Sequence, residues 1–163
     1  MWSGIEDHLG SEQVSRVIYG AIIGMALIVV LEQHPPAPGV IAGTLIATGL
    51  AVALAELYSE AIGTQTRLRR RIGRHHLGEI TKDVSAVFLG IVFPDVFFIV
   101  AAFGGMEIDT AFALAKWTGL GLIACYGFAA GRLAGESMPR ALAQGLAVAA
   151  IGGALIAFKA IVH

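Results

Sequence analysis

Charged side chains are scarce in this 163-residue chain, in which Asp, Glu, Lys and Arg make up only 14% of the residues. Soluble domains carry about 25% charged residues, so the composition excludes an ordinary soluble globular domain. The single cysteine, Cys125, lies within an apolar run and excludes a disulfide framework and a cysteine metal cluster. No motif for nucleic-acid binding and no Ser/His/Asp or Cys/His constellation stands out. We therefore expect no nucleic-acid partner, no resident cofactor and no enzyme.

Apolar residues dominate the composition: 56% of the chain is hydrophobic, and the mean hydropathy is +0.77. A helix needs about 20 apolar residues to cross the hydrocarbon of a bilayer. Backbone N–H and C=O groups without hydrogen bonds are too costly in lipid, and a helix satisfies them within one segment, so such segments form helices. The sequence predicts an all-α polytopic membrane protein, one domain over 1–163, with five transmembrane helices. They are placed at 17–31, 40–63, 84–103, 110–132 and 141–162.

Basic residues are concentrated in one connection between the predicted spans. Because cytoplasmic loops collect Lys and Arg, the N-terminus is predicted in the cytoplasm and the C-terminus outside, as in a multi-pass protein of a bacterial inner or plasma membrane. The basic loop, at about 64–83, is expected to contact anionic lipid headgroups or a partner. Six of the eleven Lys and Arg residues lie in it: Arg67, Arg69, Arg70, Arg71, Arg74 and Lys82.

The first fifteen residues have no basic start and no apolar centre, so they do not match a signal peptide. Ser3-Gly4-Ile5-Glu6 fits a capping box. The sequence therefore predicts a short helix at about 3–15 on the inner membrane surface.

Two carboxylates lie in the second predicted span, where charge is expensive and marks candidate ion pathways. Glu56 and Glu60 are four residues apart and share a helical face. Their oxygens suit a hard cation, which makes Glu56 the candidate metal ligand. The alternative is that Glu60 reaches the interface and pairs with Arg67 or Arg70.

A third carboxylate, Asp95, follows Pro94 near the middle of the third span. The proline cannot donate to the carbonyl of Gly90, so the helix should kink and free a backbone acceptor. Asp95 is thus a candidate ion or proton station. A structural ion pair with Lys116, predicted at a similar depth, remains the alternative.

Three segments stand out by their composition and order. Residues 20–24 read Gly-Ala-Ile-Ile-Gly, residues 55–59 read Ala-Glu-Leu-Tyr-Ser, and Gly90 lies four residues before Pro94. Together they resemble the vacuolar iron transporter family of five-helix divalent-cation exporters, being similar to its Gly-Ala-Asn-Asp-Gly opening, its Gly-Glu-Tyr-Val-Ser segment and its Gly-Ala-x-x-Pro break. The resemblance covers about residues 16–163. It implies a homodimer that carries Fe²⁺ or Mn²⁺ as substrate in exchange for protons.

The chain departs from this family at the ion path. Ile23 stands where the resemblance implies an ion-binding aspartate, and residues 52–54 lack the expected methionine. The carboxylate-rich cytoplasmic extension is replaced by the arginine-rich loop, which repels divalent cations. Two hypotheses follow: a divergent proton-coupled cation transporter, or a non-transporting accessory or structural subunit of a larger membrane complex on the same scaffold. The glycine-rich helix faces would serve packing within one chain or between chains in either case.

Overall fold

A computed structural model describes residues 11–68 and 74–162. Within those ranges the chain forms six α-helices and one 3₁₀ turn, with no β-strand. In chain order the elements are α1 (Ser11–Leu31), α2 (Pro38–Leu68), α3 (Arg74–Val92), the 3₁₀ turn (Phe93–Asp95), α4 (Val96–Ala102), α5 (Ile108–Leu133) and α6 (Met138–Val162). The all-α prediction is confirmed for the described residues.

Four segments are long and apolar enough to cross a membrane. They are Gln13–Leu31, Pro38–Thr66, Val84–Ala102 and Ile108–Leu133. The third of these runs through α3, the 3₁₀ turn and α4, which together form one candidate crossing, called the third crossing below. The chain is thus compatible with a multi-pass membrane protein.

The predicted basic loop at 64–83 is shorter than expected. Helix α2 continues to Leu68 and α3 begins at Arg74, so most of the predicted loop is helical and the backbones of Arg67 and Arg74 lie in helices. Residues 69–73, with Arg69, Arg70 and Arg71, lie outside the described residues. So do residues 3–10 of the predicted surface helix, whereas 11–15 form the start of α1.

The helix ends follow from local sequence. Pro38 is the first residue of α2, where its missing N–H costs no hydrogen bond. Helix α4 ends at Ala102, and Gly104, two residues later, has φ 77°. The N–H of Gly105 donates to the carbonyl of Val100 at 2.9 Å. The end of α5 repeats this Schellman geometry, with Gly135 at φ 77°. Glycine at C′ is the usual residue for this kind of helix end because it adopts positive φ without strain.

Helix α1 lies at the centre of the bundle, packed against α3, α5 and α6, while α2 packs against α3 and α4. The closest approach is between α1 and α3. A Cβ added at Gly20 would collide with the backbone carbonyl of Val87, and one at Gly90 would collide with that of Val17. The two backbones therefore touch directly, as small residues allow in membrane helices.

Candidate functional site

Asp95 is the last residue of the 3₁₀ turn that interrupts the third crossing. The turn follows from Pro94, which has no N–H for the carbonyl four residues back and cannot continue an α-helix without strain. At 1.5 Å per residue, Asp95 lies about 17 Å along this crossing from Val84, close to its middle. The α-helix is interrupted at Pro94, where the sequence analysis predicted a break.

The Asp95 side chain is fully buried, with 0% of its surface exposed. Neither of its carboxylate oxygens has a hydrogen-bond partner among the described residues. Buried polar groups are nearly always hydrogen-bonded, and an unpaired buried charge costs several kcal/mol. The structure thus retains one expensive, unsatisfied group in the middle of the bundle.

The residues on either side of Asp95 along the third crossing pack in apolar contacts. The Pro94 ring and Met25 of α1 both approach Gly119 of α5. One turn further along, Phe98 packs edge-on against Phe112, with ring centroids 4.9 Å apart. The buried carboxyl group thus lies between apolar segments of the bundle.

Lys116 does not pair with Asp95, so this alternative from the sequence is wrong. The Nζ atom of Lys116 donates to Oε1 and Oε2 of Glu32 at 2.7 and 2.9 Å. Glu32 directly follows the last residue of α1, and both side chains are about four-fifths buried. The long lysine stem reaches from α5 toward the helix end instead of toward the bundle centre, as snorkelling side chains do.

Glu56 and Glu60 both lie close to Arg16 of α1, a residue that the sequence analysis did not name as their partner. Nη1 of Arg16, on α1, donates to Oε1 of Glu56 at 2.8 Å, and its Nη2 lies 3.7 Å from Oε2 of Glu60. The two glutamates share a helical face, as predicted, but a resident guanidinium compensates that face. The alternative pairing of Glu60 with Arg67 or Arg70 involves side chains outside the described part of the structure.

Arg16 and Glu32 are the two residues that sequence reasoning missed as partners. A depth comparison could have found Arg16, since it lies 15 residues from the end of α1 and Glu56 lies 18 residues from the start of α2. At 1.5 Å per residue these positions differ by only about 5 Å along the bundle. Glu32 gave no such signal because it follows the apolar run and reads as part of a turn.

An open groove lies between α1 and α2 beside the Arg16 ion pairs. One part has a volume of about 490 Å³ and the adjoining part about 350 Å³. Tyr19 and Glu56 line both parts. We call this surface the α1–α2 groove and define it by its polar lining: Ser15, Arg16, Tyr19, Glu56, Ser59 and Glu60.

No group of three or more His, Cys, Asp or Glu side chains that could hold a metal ion occurs among the side chains that the structure describes. Glu56 and Glu60 make a set of two, already engaged by Arg16. A divalent cation at Glu56 would therefore have to displace the guanidinium. Among the described residues, Asp95 is a group that can take up and release a proton, and the α1–α2 groove holds charges that can exchange partners.

Comparisons with known proteins add no relative: no family model, no curated protein and no solved structure matches this chain.

Proposed function

We propose that this chain is a proton-coupled cation transporter of a bacterial inner or plasma membrane, a divergent relative of the vacuolar iron transporter family. In this proposal five helices cross the bilayer, with α6 as the fifth, the N-terminus in the cytoplasm and the C-terminus outside. Asp95 takes up a proton from one side and releases it to the other as the bundle changes conformation. The transported ion is a cation that moves in the opposite direction.

The single observation that carries the proposal is the buried carboxyl group of Asp95, which has no hydrogen-bond partner among the side chains that the structure describes. Ionisable groups at membrane depth usually serve ion paths or proton relays because their cost must be offset by function. A structural role would have required a partner, and the nearest candidate, Lys116, is bound to Glu32 instead. Asp95 also lies at a helix break, a feature that transporters use where ions bind.

The family resemblance supports the same class of function and sets its limits. Ile23 removes the helix-one carboxylate that the resemblance implies, and Arg16 occupies the two glutamates of α2. With Fe²⁺ or Mn²⁺ as the transported ion, Arg16 would have to leave Glu56 during each cycle. A homodimer, which the resemblance implies, is part of the proposal.

A flux assay tests this function. The purified chain is placed in liposomes that contain a pH-sensitive dye, and Mn²⁺, Fe²⁺ or Na⁺ is added outside. We expect cation-dependent proton flux that Asp95→Asn abolishes. Asp109→Asn is the matched control: it makes the same chemical change at an exposed residue in the first turn of α5. Flux that is unchanged in Asp95→Asn would contradict the proposal.

The second candidate is an accessory or structural subunit without transport, and the ion pair between Arg16 and Glu56 favours it. Glu56 is the carboxylate that the chain shares with the resembled family, and Arg16 of the same chain neutralises it. An ion pair of this kind suits a protein that holds its helices in place and moves no cation. In that case a folded preparation shows no flux with any of the three cations. The chain would then co-purify with a fixed partner, and Asp95→Asn would change neither result.

A further inference from the structure

The buried side chains of α4 form one continuous face that begins at Asp95. Asp95 and Val96 both have α-helical backbone angles, so from here on residues three apart lie one above the other. Asp95, Phe98 and Ala101 share this face, and at most 7% of each is exposed. Phe98 therefore lies one turn from Asp95 toward the end of α4, and Ala101 lies one turn further.

Phe98 belongs to the largest buried apolar cluster among the described residues. Its ring packs edge-on against Phe112 of α5, with ring centroids 4.9 Å apart, and neither residue has any exposed surface. The same cluster includes Ile28 near the end of α1, Ile41 near the start of α2 and Ala111 near the start of α5. We call this end of the bundle the α4 end. Side chains close it between Asp95 and the surface.

The opposite direction from Asp95 is closed by backbone instead of side chains. A Cβ added at Gly24 of α1 would lie 3.0 Å from backbone atoms of Ile91, four residues before Asp95. The contact between Gly20 and the backbone of Val87 repeats this arrangement one turn further along α3. The backbone of a regular helix cannot rotate away as a side chain can. Opening this direction therefore requires α1 and α3 to separate as whole helices.

The α4 end can open by a smaller movement. Helix α4 has only seven residues, and the 3₁₀ turn at Pro94 separates it from α3. Breaks at proline are points where helix segments bend relative to each other, and hinges consist of a few residues at the ends of elements. A tilt of α4 about the 3₁₀ turn would part Phe98 from Phe112 and leave the contact between α1 and α3 intact.

We propose that the Phe98–Phe112 pair is a gate that controls the access of water and protons to Asp95 from the α4 end. The gate is closed while the two rings are in contact and opens when α4 tilts. Hydrophobic constrictions of this kind block water and ions by dewetting. This role rests on the proposed function of Asp95 as a proton carrier, and it adds which end of the bundle opens by a local movement.

The accessibility of a thiol at position 95 tests the gate without any transport. Asp95→Cys is combined with Cys125→Ser, because Cys125 is exposed and would react as well. The chain is placed in liposomes, and a membrane-impermeant methanethiosulfonate reagent is supplied from one side at a time. The reagent attacks the thiolate, which a buried apolar site disfavours. In a parallel sample His34→Cys, in the turn between α1 and α2, reports the side on which the α4 end lies.

We expect Phe98→Ala to raise the labelling rate at position 95 about tenfold from the α4 end, the change expected on losing an aromatic pair. Labelling from the opposite side should not change. Phe112→Leu is a milder change on the other helix and should raise the rate in the same direction, so the test remains decisive if Phe98→Ala fails to fold. Phe103→Ala is the matched control: it removes a ring that is 88% exposed just after α4 and should leave the rate unchanged.

The gate and the proposed transport can fail separately. Labelling that neither Phe98→Ala nor Phe112→Leu raises would overturn the gate, and so would an equal rise from both sides of the membrane. A rise confined to the α4 end supports the gate. If that rise occurs and the unaltered chain still shows no cation-dependent proton flux, the gate stands and the transport proposal fails.

Discussion

The contact between α1 and α3 predicts that adding one methyl group at Gly20 or Gly90 lowers the free energy of unfolding. Gly20→Ala places a Cβ against the carbonyl of Val87, which is backbone and cannot rotate away. The reciprocal change, Gly90→Ala, places a Cβ 2.8 Å from the backbone nitrogen of Ala21. In both variants the helices must move apart.

The magnitude follows from two opposing effects. Alanine is a better helix former than glycine by up to about 1 kcal/mol, which favours either substitution. Overpacking a tight contact costs about 1–3 kcal/mol, and occasionally more. Because both partners here are backbone, we expect the upper part of that range and a net loss of about 1–3 kcal/mol in the free energy of unfolding.

Gly43→Ala is the matched control, because Gly43 lies in α2 and no atom comes within 4 Å of its added Cβ. It should be neutral or stabilise the chain by up to about 1 kcal/mol. Equilibrium unfolding in mild detergent with increasing dodecyl sulfate, followed by circular dichroism and fluorescence, compares the variants. Identical midpoints for Gly20→Ala and Gly43→Ala would refute the close approach of α1 and α3.

Three further predictions concern other parts of the bundle. Lys116→Met should lower the free energy of unfolding by about 1–3 kcal/mol because it removes the lysine that donates to the partly buried carboxylate of Glu32. The same unfolding titration measures it; recovery on adding Glu32→Gln is expected, and no loss would exclude the pair. Asp95→Asn should leave thermal stability unchanged or raise it, because it removes an unpaired buried carboxyl group, whereas a marked loss of stability would reveal a structural partner. Gly135→Ala should lower the free energy of unfolding by about 1–2 kcal/mol, since φ is positive there. Gly153→Ala is the control and should leave it unchanged, because a Cβ at Gly153 meets open space. Equal melting temperatures for the two variants would contradict the turn geometry.

Much of the helical architecture could be predicted from the sequence because the physical signals are local. The apolar runs mark the helices, and the glycines at 104 and 135 mark their ends. Pro94 marks the break in the third crossing for the same reason, since a missing N–H acts on its own helix. The extension of α2 and α3 into the basic segment was missed because charge indicates the side of the membrane and says little about where a helix ends.

The pairing of charges could not be predicted because it depends on helix rotation and on side-chain reach. Lys116 and Asp95 lie at similar depths along their helices, yet the lysine extends to Glu32 at the end of α1. Arg16 lies near one end of α1 and turns toward α2, where it pairs with Glu56. Sequence position fixes the height of a residue along the bundle, whereas the packing of α1 against its neighbours decides the direction of its side chain.

Carbodiimide labelling tests the role of Asp95 most directly. Dicyclohexylcarbodiimide is apolar, enters from the bilayer and reacts with protonated carboxyl groups in apolar surroundings. If Asp95 carries a proton inside the membrane, mass spectrometry of the labelled chain should find the adduct on Asp95 and none on the exposed Asp109, and a transported cation should slow the labelling. An unlabelled Asp95 in the folded, membrane-embedded chain, with adducts only on Glu56 or Glu60, would contradict the assignment.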